Sequence, residues 1–274
     1  MDDFQSPYTM FQSQNLAAVS RDFVKVFPKW SCVQMKLFFL LLEHMNWRVP
    51  NNSPVITVEN EELKKRLGRK DKNASSFASY IRRQLKEMRS AKIRLPSSYY
   101  KNQYCKEFLL TDFHVNKTYV SITLNSHFLQ HFSDLIPSKQ YVTYWIPDIL
   151  GFHSKYSIYL YIALRTMQKY VKGAKITGIT EVDFGTRQLK TLFDLTIDDY
   201  MRWKSGERVF DRFAFEKRTI KVALDEISQS KLIQILPPEK NAPGETCDLY
   251  RKTRNGKNVS KYYIRFRVRE EILK

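Results

Sequence analysis

The chain is short of acid, of cysteine and of glycine, and each shortage removes a class of protein. Against 46 Lys and Arg, its 274 residues carry only 28 Asp and Glu, a formal net charge of +18. A chain this basic repels itself unless a polyanion or salt screens it, and DNA or RNA is the commonest polyanion. The three cysteines, Cys32, Cys105 and Cys247, are widely spaced, form no CxxC and cannot all pair. That fits a reducing compartment better than a disulfide scaffold. Eight glycines and ten prolines argue against collagen-like and low-complexity chains. The apolar run Leu37-Phe38-Phe39-Leu40-Leu41-Leu42 is far too short to span a bilayer. The start, Met1-Asp2-Asp3-Phe4, lacks the basic and then apolar stretch of a signal peptide. The expectation is a cytoplasmic polyanion binder with no membrane partner. With 43% hydrophobic content, 18 Phe, 16 Tyr and 4 Trp, the chain has ample material for packed cores, so bulk disorder is not expected. The length suits one large or two small domains.

Signatures of catalysis are missing too. There is neither a GxxxxGKS/T phosphate loop nor a GxGxxG turn. The histidines, His44, His114, His127, His131 and His153, include no histidine–apolar–histidine triplet, the metal-binding pattern of a rolling-circle nickase with a tyrosine nucleophile. Tyr99 and Tyr100 then read as hydrophobic or stacking residues. His127 and His131 have the i, i+4 spacing of metal ligands on a helix, but no Glu follows His127 and no third ligand is evident. Asp198-Asp199 and Glu270-Glu271 are adjacent pairs whose side chains diverge, which does not suit a two-metal site. The expectation is a protein without catalytic residues, metal or cofactor, and not an enzyme.

What is present is a repeated order of elements. Residues 1–22 read as a flexible arm. Apolar residues from Val33 to Trp47 fall at helical spacing, Val55 to Val58 read as a strand, and Glu59 to Leu67 as a short helix ended by Gly68. A longer helix from Ala74 to Ala91 follows, then a hairpin of Phe108–Thr111 and Tyr119–Leu124, then a helix from Asn125 carrying Phe128, Leu129, Phe132 and Leu135. The second half repeats the plan. A helix runs over Tyr156–Tyr170, a strand over Val182–Phe184 and a short helix over Thr186–Phe193. A loop over Thr196–Glu207 leads to a long helix over Val209–Ser230. Two strands, Thr246–Lys252 and Val259–Val268, close the chain through Asn255-Gly256, a strong hairpin signal. Ile81–Met88 aligns with Ile220–Ile227 at an offset of 139 and Leu63-Lys64 with Leu189-Lys190 at 126. The offsets grow along the chain, as insertions in the second copy require. Helix, strand, two helices and a hairpin is the order of a winged helix-turn-helix, whose second turn helix enters the major groove. The predicted fold is α+β: tandem winged helix-turn-helix domains, the first over 23–136 and the second over 137–274.

The charge gathers where such domains meet DNA. From Lys64 to Lys72 there are six basic residues and one acid. Lys64, Lys65, Arg69 and Lys72 fall before the first long helix, and Ser75, Ser79, Arg82 and Arg83 on its polar side. Small polar residues let a helix approach base edges, while Arg and Lys hold phosphate or guanine. In the second copy Phe213, Ile220, Ala223, Leu224 and Ile227 are expected inside. Arg218, Lys221 and the apolar Phe215 are expected outside, with Arg208 and Arg212 at the start and flank; an exposed Phe215 suits thymine methyls or packing on the first domain. Arg218 is the candidate for reading a base. Arg251, Lys252, Arg254 and Lys257 are expected at the tip of the last hairpin, where a wing reaches phosphates or the minor groove. Arg265, Arg267 and Arg269 alternate with Phe266 and Val268, which puts them on one strand face. A charged edge strand is the alternative reading of that row.

Three segments resemble a known family. They are Leu150-Gly151-Phe152-His153-Ser154-Lys155-Tyr156-Ser157-Ile158-Tyr159-Leu160-Tyr161, the run Phe210-Asp211-Arg212-Phe213-Ala214-Phe215-Glu216-Lys217-Arg218 leading into Ala223-Leu224-Asp225-Glu226-Ile227, and the basic strand Lys257–Val268. They resemble the initiator replication proteins of iteron-containing, theta-replicating bacterial plasmids. The resemblance implies two winged-helix domains related by a pseudo-twofold, both touching DNA. The second would be the main DNA-binding domain and the first would also serve dimerisation. It implies monomers binding direct repeats at the plasmid origin, in equilibrium with a homodimer that binds an inverted-repeat operator and represses its own promoter. Host initiator and replicative helicase would be partners, and the location the bacterial cytoplasm, on nucleoid or plasmid. The long loop Thr196–Glu207, with Trp203, departs from the family's pattern. A transcription regulator with tandem winged helices and a rolling-circle nickase are the alternatives.

Overall fold

The computed structural model describes residues 16–20, 30–44, 55–71, 73–96, 104–126, 141–168, 178–256 and 258–273. The chain forms two compact units, 1–150 and 151–274.

The first unit contains β1 (Leu16–Ser20), α1 (Cys32–Glu43), β2 (Val55–Glu59), α2 (Asn60–Arg66), α3 (Ala74–Ser90), β3 (Lys92–Pro96), β4 (Tyr104–Phe108), β5 (Leu110–Val115), β6 (Tyr119–Leu124) and β7 (Tyr141–Trp145). α1 begins at a capping box, Gln34 N–H donating to Ser31 Oγ (3.3 Å) while Ser31 N–H donates to Gln34 Oε1 (2.9 Å). Leu37 to Leu42 are all buried, so this helix is the centre of the core rather than a surface stripe. β2 alternates exposed and buried residues and pairs antiparallel with β6, which pairs with β5. The result is the small sheet of a winged helix, in the order β2-β6-β5. α3 buries Phe77, Ala78, Ile81, Gln84, Leu85 and Met88 and leaves the opposite face to solvent.

α4 (Ile146–Gly151) joins the two units. The second unit holds α5 (Lys155–Gln168), β8 (Ile179–Gly185), α6 (Thr186–Leu192), β9 (Met201–Lys204), β10 (Glu207–Phe210), a long helix, and β11 (Ile233–Leu236), β12 (Glu245–Thr246), β13 (Arg251–Asn255) and β14 (Asn258–Val268). The long helix, called α7 below, is α-helical over Arg212–Phe215, a π-helix over Glu216–Lys221 and α-helical again over Val222–Ile227. β14 pairs with β8 along one edge and with β13 and β11 along the other. Helix, strand, two helices and hairpin therefore recur, and the chain is a tandem winged-helix protein. The repeat extends to backbone detail. α2 ends in a Schellman motif, Arg69 N–H donating to Lys64 O (3.0 Å) and Gly68 N–H to Lys65 O (3.1 Å), with Gly68 at φ +65°. α6 ends identically 126 positions later, Leu195 N–H to Lys190 O (2.8 Å) and Asp194 N–H to Thr191 O (3.2 Å), with Asp194 at φ +54°.

Several expectations change. Residues 16–20 of the expected flexible arm are a strand, paired with β7 from Leu16↔Trp145 to Ser20↔Tyr141. A ladder binds its two strands into one unit, and Tyr144 of β7 packs edge-on against Phe39 of α1 at 5.7 Å. The division therefore falls after Leu150 instead of 136. The loop Thr196–Glu207 contains most of a β-hairpin, in register from Glu207↔Lys204 to Phe210↔Met201. Ser205 (φ +50°) and Gly206 (φ +82°) both take the left-handed region that a tight two-residue hairpin turn needs. β14 has neighbours on both sides, so Arg265 and Arg267 lie on a face of a central strand, not a guarded edge, and Arg269 falls just past its end. Most of the expected helix from Asn125 lies outside the described residues, as do Tyr99, Tyr100, His127 and His131.

Candidate nucleic-acid interface

In the first unit the Schellman turn places the basic run at the mouth of the helix-turn-helix. Arg69 grips Asp71 with a two-pronged bond (2.7 and 2.9 Å), and its guanidinium lies 3.7 Å from the centre of the Tyr80 ring. The Asp71 hydrogen bond raises the Arg69 pKa and the same bond lowers that of Asp71. Arg69 thus shapes the turn as well as charging it. α3 starts at Asn73, whose Oδ1 accepts from Ser76 N–H (2.7 Å). Its exposed face then presents Ser75, Ser79, Arg82, Arg83 and Lys86, as the spacing predicts. Arg82 donates to Val115 O at the end of β5 (2.7 Å), linking this face to the base of the wing. The wing tip is folded on itself. Asn116 Oδ1 accepts from Thr118 N–H (2.7 Å) and Tyr119 N–H (2.8 Å), and buried Asn60 donates to Asn116 O (2.8 Å). Lys65 and Lys70 are exposed, Lys64 is half-buried, and Lys72 lies outside the described residues.

In the second unit the recognition face is rotated from its expected phase. Phe215 is 0% exposed and Phe213 is 75% exposed, the reverse of the helical-wheel expectation. The buried residues of α7 recur every four: Phe215, Thr219, Ala223 and Ile227, and Glu216, Ile220 and Leu224. Each four-residue step over-rotates a 3.6-residue helix by about 40°. The π segment, with its wider turn, absorbs that drift. Phe215 therefore turns inward, where its ring meets Tyr200 (5.7 Å), Phe210 (5.4 Å) and Tyr262 (6.4 Å). It anchors the β9–β10 hairpin instead of touching a ligand. Asp211 caps α7, accepting from Ala214 N–H (3.0 Å). The outer face carries Phe213, Lys217, Arg218 and Lys221. Arg218 and Lys221 have no ion-pair partner among the described residues. Arg208, exposed on β10, pairs with Asp198 (2.8 Å), and half-buried Arg212 donates to Asn258 Oδ1 (3.3 Å).

The wing of the second unit also differs from expectation. Arg251 and Lys252 are 6% and 7% exposed. They sit at the inner end of β13, against β12, not at its tip. Arg251 forks onto Glu181 of β8 (2.8 and 3.3 Å), donates to Pro243 O (3.0 Å) and stacks on the Tyr263 ring (3.6 Å). Lys252 Nζ donates to Glu216 on the π turn (2.8 Å), whose carboxylate also accepts from Tyr250 (3.2 Å) and Tyr262 (3.0 Å). Burial, followed by the charge of Glu216, pushes both tyrosine hydroxyls well above their ordinary range. Lys252 thus staples the wing to the recognition helix, and Arg251 ties it to β8. Arg254, at the exposed end, is bonded to Glu245 (2.6 and 3.1 Å). Lys257 lies outside the described residues. The Asn255-Gly256 signal holds, Asn255 pairing with Asn258 across Gly256 at φ +59°.

Among the described residues no cluster of His, Cys, Asp and Glu could hold a metal ion, and no helix is long and apolar enough to cross a membrane. What the surfaces can do is present cations, small polar groups and exposed aromatic rings to a grooved polyanion.

Two helix-turn-helix units with basic outer faces define a class, the winged-helix proteins. The comparisons narrow it. The family model described as "Initiator Replication protein, WH1" matches residues 16–165. That is more than half of the chain, which belongs to this family of replication initiators. Among solved structures, the Pi initiator protein in complex with iteron DNA is similar with a TM-score of 0.65 and 14% identity, over 94% of this chain and 98% of that one. Domains 2 and 3 of RctB match with a TM-score of 0.47 and 10% identity, over 96% of this chain and 98% of that one. No curated protein matches the chain.

Proposed function

We propose that this initiator binds duplex DNA sequence-specifically, at short direct repeats in the origin of the plasmid it replicates. The observation that carries the reading is the outer face of α7. An exposed Phe213 and the cations Lys217, Arg218 and Lys221 stand together on the second helix of a helix-turn-helix, the element that such folds lay in the major groove. Arg218 is the base reader, Phe213 the contact for a thymine methyl, and Lys217 and Lys221 hold phosphate. In the first unit Ser75, Ser79, Arg82, Arg83 and Lys86 make a second, lighter contact, with Lys65 and Lys70 on the backbone. The second unit is the main DNA-binding domain, and the first contributes contacts and dimerisation. The similarity to an initiator bound to iteron DNA supports direct repeats as the target. A homodimer on an inverted repeat would repress the initiator's own promoter, and host initiator and replicative helicase are the expected recruits in the cytoplasm. No nicking step is assigned to the chain.

The test is DNase I protection on the DNA flanking the gene, together with incubation of the supercoiled plasmid with protein and Mg²⁺. Protection over short direct repeats, lost steeply as salt rises, and an unbroken plasmid support the reading. Protection that ignores sequence, or a protein-dependent nick, overturns it.

A further inference from the structure

The β9–β10 hairpin is inserted in the turn between α6 and α7. Its residues Met201 and Phe210 lie at the base, and the base is fixed to α7. Asp211 N–H donates to Tyr200 O (2.6 Å), and Phe210 and Tyr200 both pack on Phe215. Lys190 of α6 clamps the other side, its Nζ 4.1 Å from the Phe210 ring centre and donating to Asp199 O (3.4 Å). Asp199 in turn accepts from the backbone N–H (2.5 Å) and hydroxyl (2.8 Å) of Thr196. Arg202 reaches Asp211, the N-cap of α7, at 3.7 Å. The hairpin is therefore rigidly continuous with the N-terminal end of the recognition helix. The outer half of the hairpin presents Trp203, 73% exposed, directly across the ladder from Arg208. Lys204 stands at the turn, exposed and with no ion-pair partner among the described residues.

A tryptophan so exposed gains nothing for the fold. Burying a large aromatic removes much apolar area from water, and this ring forgoes that gain in the free protein. Of the acids near it, Asp198 is engaged with Arg208, Asp199 with Thr196, and Asp211 with Ala214 and Arg202, while Glu207 stands exposed across the ladder from Lys204. Lys204 and Glu207 offset each other on the hairpin, and the positive excess of this surface comes from α7 beside it, with Lys217, Arg218 and Lys221. An occupant continuous with the α7 face and complementary to this charge is the duplex itself.

We infer that the β9–β10 hairpin is a second DNA-contacting projection of this unit. It bears on the duplex that flanks the segment held by α7, with Trp203 against sugar and base edges and Lys204 on phosphate, joined by Arg208 where phosphate displaces Asp198. The inference rests on the proposed reading of α7 as the DNA-binding helix. It makes the footprint asymmetric and longer than one recognition helix accounts for.

The experiment uses the full chain and three DNAs: one protected repeat with ten base pairs on each side, the same repeat with no flank, and the same repeat with its flanks single-stranded. The variants are Trp203→Ala, Lys204→Ala/Arg208→Ala and, as the control on α7, Arg218→Ala/Lys221→Ala. Trp203→Ala is expected to weaken binding to the flanked duplex by about tenfold, as the loss of part of an aromatic side chain's apolar burial gives. The Lys204/Arg208 variant is expected to weaken it similarly and to reduce the log–log salt slope by about 0.9 for Lys204, with at most as much again for Arg208, which is paired with Asp198 in the free protein. Both should match the wild type on the unflanked duplex. Wild-type binding of the flanked duplex by both variants overturns the inference. So does an equal loss on both duplexes, which would place the hairpin's effect inside the helix contact. A loss seen only with the flank offered as an unpaired strand also overturns it, and assigns the surface to single-stranded DNA. If Arg218→Ala/Lys221→Ala binds like the wild type, the reading of α7 has failed, and that outcome is separate from any result on the hairpin.

Discussion

Replacing each of two phenylalanines on one helix by alanine separates the observed phase of α7 from the one a regular helix would have. Phe215 is fully buried against three aromatic rings, whereas Phe213, two residues earlier, is largely exposed. Phe215→Ala removes a core ring, a change that costs about 3–5 kcal/mol. Up to three aromatic pairs, each worth roughly 0.5–1.5 kcal/mol beyond area, are lost within that total. Against a typical stability of about 5–15 kcal/mol this is a large fraction. It lowers Tm by on the order of 10 °C for a chain of this size. Phe213→Ala should change stability by less than about 0.5 kcal/mol, yet weaken binding to the protected repeat. The assays are calorimetric unfolding of the full chain and equilibrium binding by gel shift. Equal destabilisation by both changes, or a larger loss from Phe213→Ala, would refute the π-shifted register and restore the helical-wheel phase.

Three further outcomes follow from the same geometry. Lys252→Met leaves the Glu216 carboxylate buried with only tyrosine hydroxyls. It should cost about 3–5 kcal/mol in urea unfolding, and adding Glu216→Gln should recover a substantial part; no recovery would mean the pair is not coupled. Gly68→Ala forces a side chain into the left-handed region with nothing crowding its Cβ, so about 1 kcal/mol of backbone strain is expected. Thr196 holds the Asp199 carboxyl below its ordinary value of 3.8 through a backbone and then a hydroxyl hydrogen bond. A lowered carboxylate contributes stability that is present above about pH 4 and lost as pH falls through the folded-state value. Asp199→Asn should therefore be less stable than the wild type at pH 7, with the gap closing in acid; a gap constant from pH 7 to pH 2 contradicts the assignment.

How much of this was legible in the sequence varied with the range of the cause. Local signals were reliable. Gly68 ends α2 and Asn255-Gly256 turns the last hairpin, because a left-handed backbone position selects glycine wherever the rest of the chain goes. The repeat was also legible, since both copies bury the same faces against their own sheets. The face of α7 was not, because a 3.6-residue template has no place for a π turn. Nor was the burial of Arg251 and Lys252. Their partners, Glu181 and Glu216, are 70 and 36 positions away, and a count of basic residues along a strand cannot show which are neutralised inside. The β9–β10 hairpin has only a weak local signal, Ser205-Gly206 between short runs containing Met201, Trp203, Val209 and Phe210. The β1–β7 pairing joins segments more than a hundred residues apart, and no local pattern announces it.

The most direct test of sequence reading by α7 is competitive binding of Arg218→Ala to a protected repeat and its single-base variants. If Arg218 reads a base, the change costs about 1–3 kcal/mol on the repeat and abolishes discrimination at one position only. Equal weakening on every sequence, with discrimination intact, would make Arg218 a phosphate contact and contradict a base-reading role for this face of the helix.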